Sequence, residues 1–192
     1  MNIKPKFAVI GGGSWATAIA KMLCVNLDEI AWYMRNQSAI EHLKAYKHNP
    51  NYLSSVEFDT NKLKLTSDIN EAVAYADYLI FAIPSAFLSA ELAKLTVSLE
   101  NKIIFSAIKG IVPKHNDVVA HYLRDAFKIG FRCQAVIAGP CHAEEVAMER
   151  LSYLTIAAAE KGTVDRLRDL FASDYIKVCC SKDILGNEYS AI

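Results

Sequence analysis

Residues 7–18 read Phe-Ala-Val-Ile-Gly-Gly-Gly-Ser-Trp-Ala-Thr-Ala, a short apolar run that stops at glycines and restarts as an alanine-rich segment. Gly11, Gly13 and Ala16 fall in the spacing that a dinucleotide-binding turn uses. Gly11 permits a tight turn off a strand, Gly13 lets the backbone approach a pyrophosphate, and Ala16 lets the next helix pack close to the strand. A helix beginning near Ser14 would aim its unpaired N–H groups and the positive end of its dipole at the phosphates. Glycine-rich turns also occur for packing alone. The preceding strand and the apolar helix positions Ala16, Ile19, Ala20 and Leu23 supply the context that a nucleotide reading requires.

Other residues could act at the same edge of such a fold. The segment Ile-Ala-Trp-Tyr-Met-Arg-Asn ends in Arg35 and Asn36, where an NAD-selective site would carry an acidic residue for the ribose 2′-hydroxyl. A guanidinium there can pair with a 2′-phosphate, so NADPH is expected to be preferred, with NADH possible. A solvated arginine opening a loop is the plainer alternative. Ala-Ile-Pro-Ser (82–85) closes another strand, with the serine placed to cap a helix. Ser-Ala-Ile-Lys-Gly-Ile (106–111) offers Lys109, which could hold a phosphate or polarise a carbonyl, or be a surface charge. Gly-Pro-Cys-His-Ala-Glu-Glu-Val (139–146) opens a further helix, with Glu144 and Glu145 favouring its positive start. Cys141 beside His142 is a poor thiol nucleophile, because adjacent side chains diverge and no third orienting group is identifiable. His42, His48, His115 and His121 lack ligand spacing, and no metal is expected.

The elements that must position these residues alternate. Strands are expected at about 3–10, 28–34, 62–66, 77–83, 102–107, 133–138, 152–158 and 175–180. Helices are expected at about 14–25, 37–46, 85–96, 114–127, 141–149 and 163–172. This predicts an α/β fold, a Rossmann-type doubly wound, mostly parallel sheet covered on both faces. The stretch at about 47–61 is expected to be a functional loop. The 192 residues, 53% hydrophobic, suffice for one large domain. With 21 basic and 21 acidic residues the net charge is zero, so nucleic acid and anionic membrane surfaces are not expected partners. The first residues lead into the first strand without a secretion signal, and no apolar run is long enough to span a bilayer. A cytoplasmic protein without stable membrane insertion is expected. Cys24, Cys133, Cys141, Cys179 and Cys180 are odd in number and are expected mostly to be buried small hydrophobes.

Six segments occur in an order and spacing that resemble NAD(P)-dependent glycerol-3-phosphate dehydrogenase: 11–18, Arg35-Asn36, Asn49-Pro50-Asn51-Tyr52-Leu53, 82–85, Lys109-Gly110-Ile111 and 139–146. The resemblance implies interconversion of dihydroxyacetone phosphate and sn-glycerol 3-phosphate by hydride transfer, supplying glycerophospholipid synthesis. It implies that Ser14, Trp15, Arg35, Lys109 and Ala143 contact the dinucleotide, and that Lys109, Gly139 and Cys141 contact substrate. The family commonly has serine or threonine at 141 and phenylalanine at 142; a thiol is the weaker donor. Residues 1–182 would be the NAD(P)-binding domain and 183–192 the start of an all-helical second domain. The general acid/base lysine would follow Ile192, so the 192-residue chain is expected to bind cofactor without appreciable turnover, and the longer family members to be homodimers. Two other readings share part of the pattern. A ketopantoate or β-hydroxyacid type reductase would share the glycines and Arg35 but not segments 49–53 and 139–146. A non-catalytic dinucleotide sensor would lack the lysine.

Overall fold

The computed structural model describes residues 5–192. Its strands are β1 (Phe7–Ile10), β2 (Ile30–Tyr33), β3 (Leu63–Thr66), β4 (Tyr78–Phe81), β5 (Ile103–Ser106), β6 (Gln134–Ala138), β7 (Ser152–Ala158) and β8 (Ile176–Ser181). Its helices are α1 (Ser14–Asn26), α2 (Gln37–Tyr46), α3 (Ile69–Tyr75), α4 (Ser85–Leu92), α5 (Val119–Phe127), α6 (Ala143–Ala147), α7 (Lys161–Phe171) and α8 (Ile184–Tyr189). The strands form one sheet in the order β3-β2-β1-β4-β5-β6-β7-β8. β1 to β6 pair in parallel, β7 runs antiparallel to β6, and β8 is parallel to β7. The expected doubly wound, mostly parallel sheet is therefore present.

Alternation within each strand divides the core between two faces. Phe7 and Val9 of β1 pack with Ile19, Leu23, Ile40, Val146 and Phe171, so α1, α2, α6 and α7 cover one face. Ala8 and Ile10 pack with Val73, Leu88, Leu92 and Leu123, which places α3, α4 and α5 on the other. Both faces of β1 are thus apolar because both are covered. Phe7 anchors the first face, stacked on Tyr78 at 4.9 Å and edge-on to Phe171 at 5.8 Å between ring centroids. Strand order reverses direction at β1 and β4, and ligands bind such sheets in the crevice at the carboxyl ends of those strands.

Several expectations need correction. α3, which carries the crossover from β3 to β4, was not expected: its seven residues are too few to display a clear period, although Asp68 caps it by accepting from Asn70 N at 2.8 Å. The helix expected from 114 begins at Val119, because Val112 N donates to Asp117 O at 2.8 Å and closes a turn first. Pro84, not Ser85, is the N-cap of α4, and Ser85 is its first helical residue. Of the cysteines only Cys141 is buried; Cys24 and Cys133 are half-buried, and Cys179 and Cys180 are exposed on β8 at the sheet edge. The first strand begins at Phe7, and the part expected at 3–4 lies outside the described residues.

α8 docks on the sheet through Ile184, packed with Ala120, Val136, Ala138 and Ala157. Glu188, 1% exposed, accepts from Ala120 N at 3.0 Å. Among the described residues, its second oxygen, Oε1, and Ser106 Oγ are both buried without a hydrogen-bond partner. Burial pushes the Glu188 carboxyl above its ordinary value, against the opposing pull of the Ala120 N–H. The folded state then holds that proton more tightly than the unfolded state, so stability falls as pH rises from the ordinary carboxylate range through the raised value. Glu188→Gln retains an acceptor for Ala120 and offers an N–H for the neighbourhood of Ser106. The substitution is expected to raise the urea midpoint at about pH 8 and to lose most of that gain near pH 4; equal gains at both pH values would contradict this.

Candidate functional site

The glycine loop is held from three sides. Gly11 N donates to Tyr33 O at 3.1 Å, and the indole Nε1 of buried Trp32 donates to Gly11 O at 2.7 Å. On its other flank, Ala82 N donates to Ile10 O at 2.9 Å. Gly11 itself has φ of +139°, and a Cβ there would lie 2.8 Å from the carbonyl carbon of Ala82. No side chain fits at this position. Gly13 differs: a Cβ built on it would meet nothing within 4 Å. The space beside the N-terminus of α1 is therefore left free by the protein, where a phosphate group would need it.

The expected functional loop is fastened to the same place. Buried Asn49 donates through Nδ2 to Gly12 O at 3.2 Å and to Thr17 Oγ1 at 2.9 Å, while its Oδ1 accepts from Asn51 N at 3.0 Å. Thr17 Oγ1 in turn donates to Gly13 O at 2.9 Å. Farther along the loop, Phe58 packs on Trp32 with centroids 5.3 Å apart. These contacts bring Asn51 and Tyr52 to a cleft of about 270 Å³ that also includes Gly11–Gly13, Met34–Asn36, Ile83, Pro84, Phe87 and Glu91. Arg35 stands at the end of β2 with its guanidinium 5.3 Å from the Phe87 ring centroid. Asn36 caps α2 by accepting from Ser38 N at 3.0 Å.

A second group lies along the sheet's carboxyl edge beyond β4. Lys109 follows β5 and is exposed, and the turn after it runs beside α4, since a Cβ on Gly110 would lie 3.3 Å from Ser85 Oγ. Gly139 ends β6 with φ of +139°, and a Cβ there would lie 2.5 Å from Tyr153 O. Cys141, 6% exposed, turns its thiol toward Gly139 O at 3.9 Å. Burial pushes this thiol above its ordinary value, partly opposed by the nearby Lys109 ammonium. A neutral thiol is a weak donor and a poor nucleophile, which agrees with the sequence reading. α6 packs on α1, and Ala143 and Trp15 are partly buried against the same cluster. Trp15 Nε1 is a buried donor without a partner among the described residues.

A family model for the N-terminus of NAD-dependent glycerol-3-phosphate dehydrogenase matches residues 6–164. The chain belongs to this family. Glycerol-3-phosphate dehydrogenase (NAD(P)+) of Lysinibacillus sphaericus is 31% identical over 186 residues, 95% of this chain and 54% of that protein. The enzyme of the same name from Limosilactobacillus reuteri is 29% identical over 192 residues, covering 97% and 56% respectively. The chain thus spans about half the length of the curated relatives it matches. Among solved structures, glycerol-3-phosphate dehydrogenase of Plasmodium falciparum superposes with a TM-score of 0.83 at 26% identity, covering 94% of this chain and 53% of that one. An imine reductase of Myxococcus stipitatus, with a TM-score of 0.67 at 14% identity and coverage of 98% and 58%, shares the fold alone.

Within this glycerol-3-phosphate dehydrogenase domain, the structure brings Gly11, Gly13 and Arg35 into one cleft, with Ser14 and Trp15 opening the helix beside it. Lys109, Gly139, Cys141 and Ala143 do not line that cleft; they form the separate group beyond β4. Sequence reasoning missed Tyr33, Phe87 and Glu91. The four-residue spacing of Phe87 and Glu91 after Ser85 was the available signal, since it puts both on one helix face. No helix of the described residues is long and apolar enough to cross a membrane. Trp32→Phe removes the donor to Gly11 O and part of a fully buried ring system. It is expected to lower the unfolding free energy by about 2–4 kcal/mol in urea denaturation; a loss below about 0.5 kcal/mol would show that the indole does not hold the loop.

Proposed function

We propose that the chain binds a nicotinamide adenine dinucleotide, NADPH in preference to NADH, and belongs to an enzyme that interconverts dihydroxyacetone phosphate and sn-glycerol 3-phosphate for glycerophospholipid synthesis. The observation that carries the reading is the cleft itself: a glycine loop with free space at Gly13, and a guanidinium at the end of β2. The names of the relatives support the same chemistry, each being a glycerol-3-phosphate dehydrogenase (NAD(P)+). Bound in the cleft, the dinucleotide would supply or accept the hydride.

The chain's own residues would bind and orient. The backbone of Gly13, Ser14 and Trp15 faces the pyrophosphate at the start of α1, where the helix dipole favours negative charge. Arg35 would take the 2′-phosphate, with its guanidinium stacked over Phe87. Trp15 and Ala143 would contact the dinucleotide, and Lys109 would contact both cofactor and substrate. Lys109, Gly139 and Cys141 form the near wall of the substrate site, the ammonium offsetting the charge of a substrate phosphate or polarising its carbonyl. Residues 183–192 would open a second, helical domain, and the proton-donating lysine would follow position 192. The full-length protein would act as a cytoplasmic homodimer.

Titration calorimetry with NADPH and NADH tests the binding. NADPH is expected to bind more tightly than NADH, and Arg35→Asp to lower the ratio of the two affinities by at least about tenfold, the loss of a charge-assisted pair and its replacement by a like charge. Failure of both dinucleotides to bind would overturn the reading, and an unchanged ratio would overturn the role of Arg35.

A further inference from the structure

The cleft that holds Arg35 is also lined by a buried carboxylate that the dinucleotide motif does not account for. Glu91, only 6% exposed, accepts from Tyr33 Oη at 2.6 Å and from Lys94 Nζ at 2.8 and 2.9 Å. Tyr33 ends β2, two residues before Arg35, and Glu91 lies one helical turn after Phe87 on α4. Residues four apart on a helix share a face, so the ring that carries the Arg35 guanidinium and the carboxylate of Glu91 are neighbours. Both line the cleft, while Lys94 lies outside its lining with its side chain 52% exposed. The Glu91–Lys94 pair therefore presents its negative end to the cleft and its positive end to solvent.

Burial alone would push the Glu91 carboxyl up, but hydrogen bonds from Lys94 and Tyr33, together with the charge of Arg35, hold it below its ordinary value. The group is a carboxylate at neutral pH. Burial and the bond to Glu91 push the Tyr33 phenol up, so Tyr33 stays a donor and keeps the carboxylate in place. The Glu91 carboxylate, paired with Lys94 and sharing the cleft with Arg35, is screened by less water than a surface charge, so its field reaches Arg35 more strongly.

We propose that Glu91 is a specificity-determining residue: its buried carboxylate partly cancels the field of Arg35 and so weakens the preference for a 2′-phosphorylated dinucleotide over one with a free 2′-hydroxyl. The inference rests on the dinucleotide reading of the cleft and deepens it. Arg35 attracts the 2′-phosphate, Phe87 orients the guanidinium, and Glu91 sets how much of its charge the phosphate meets. A chain arranged this way accepts both cofactors. Glu91→Gln keeps the size of the side chain and an oxygen for Tyr33 and Lys94, yet removes the charge.

Adenosine 2′,5′-bisphosphate and adenosine 5′-monophosphate, which differ only in the 2′-phosphate, are the probes. Their dissociation constants are measured at about pH 8 for the native chain, Glu91→Gln and Lys94→Met, at low and high salt. Glu91→Gln is expected to raise the preference for the bisphosphate roughly threefold to tenfold, with the gain shrinking at high salt. Lys94→Met, a change at a half-exposed side chain, leaves the carboxylate less balanced and is expected to shift the preference the other way. It also keeps the test decisive should Glu91→Gln fail to fold. An unchanged preference in both variants, with the native chain still favouring the bisphosphate, would overturn the role of Glu91 and leave the dinucleotide reading standing. Failure of the native chain to bind either probe would overturn that reading and this inference with it.

Discussion

Gly11 sits where β1, β2 and β4 come together at their carboxyl ends, and its lack of a side chain is the condition for that meeting. The Ala82 carbonyl occupies the space a Cβ would need, Tyr33 O takes the Gly11 N–H, and the Trp32 indole takes its carbonyl. Both backbone groups of Gly11 are thereby paired within the protein. With the chain turned so sharply, α1 starts directly above the sheet and its first N–H groups face the crevice. The position of Arg35, two residues beyond Tyr33, and of the α4 residues beyond Ala82 follows from the same junction.

Gly139 repeats this solution at the end of β6, with the same positive φ and an equally close backbone, that of Tyr153 in antiparallel β7. The two glycine turns lead into α1 and α6, which pack against each other through small residues. That contact couples the halves of the site. Whatever positions Trp15 on α1 also positions Ala143 on α6, and Cys141 is buried against the shared cluster. The glycine-loop cleft and the Lys109–Cys141 group thus lie along one edge of the sheet, tied by the α1–α6 contact.

Much of this edge was legible from residue order. An apolar strand before Gly11 and an apolar helix after Ser14 are local patterns, and Arg35 is found simply by counting along the second strand. The alternation of strand-like and helix-like segments announced a sheet covered on both faces. What was not legible depends on contacts distant in the chain. The antiparallel direction of β7 leaves no mark on its apolar run, α3 is too short to show a period, and the exposure of Cys179 and Cys180 follows from β8 being an edge strand. Asn49 stood out only as part of segment 49–53, and the fold alone shows it buried against Gly12 and Thr17. Glu91 drew no reading from the sequence, because its burial depends on Tyr33, far off in the chain, meeting it in space.

The central claim is that one crevice, at the carboxyl ends of β1, β2 and β4, holds the dinucleotide. Amide chemical shifts of the isotopically labelled chain during addition of NADPH test it most directly. The account predicts the largest changes at Gly11–Trp15, Arg35, Asn36 and Asn51, with smaller ones at Ala143. Changes confined elsewhere, such as the groove that Leu95, Val97–Glu100 and Ala126–Ile129 line at the C-terminal end of α5, would contradict it.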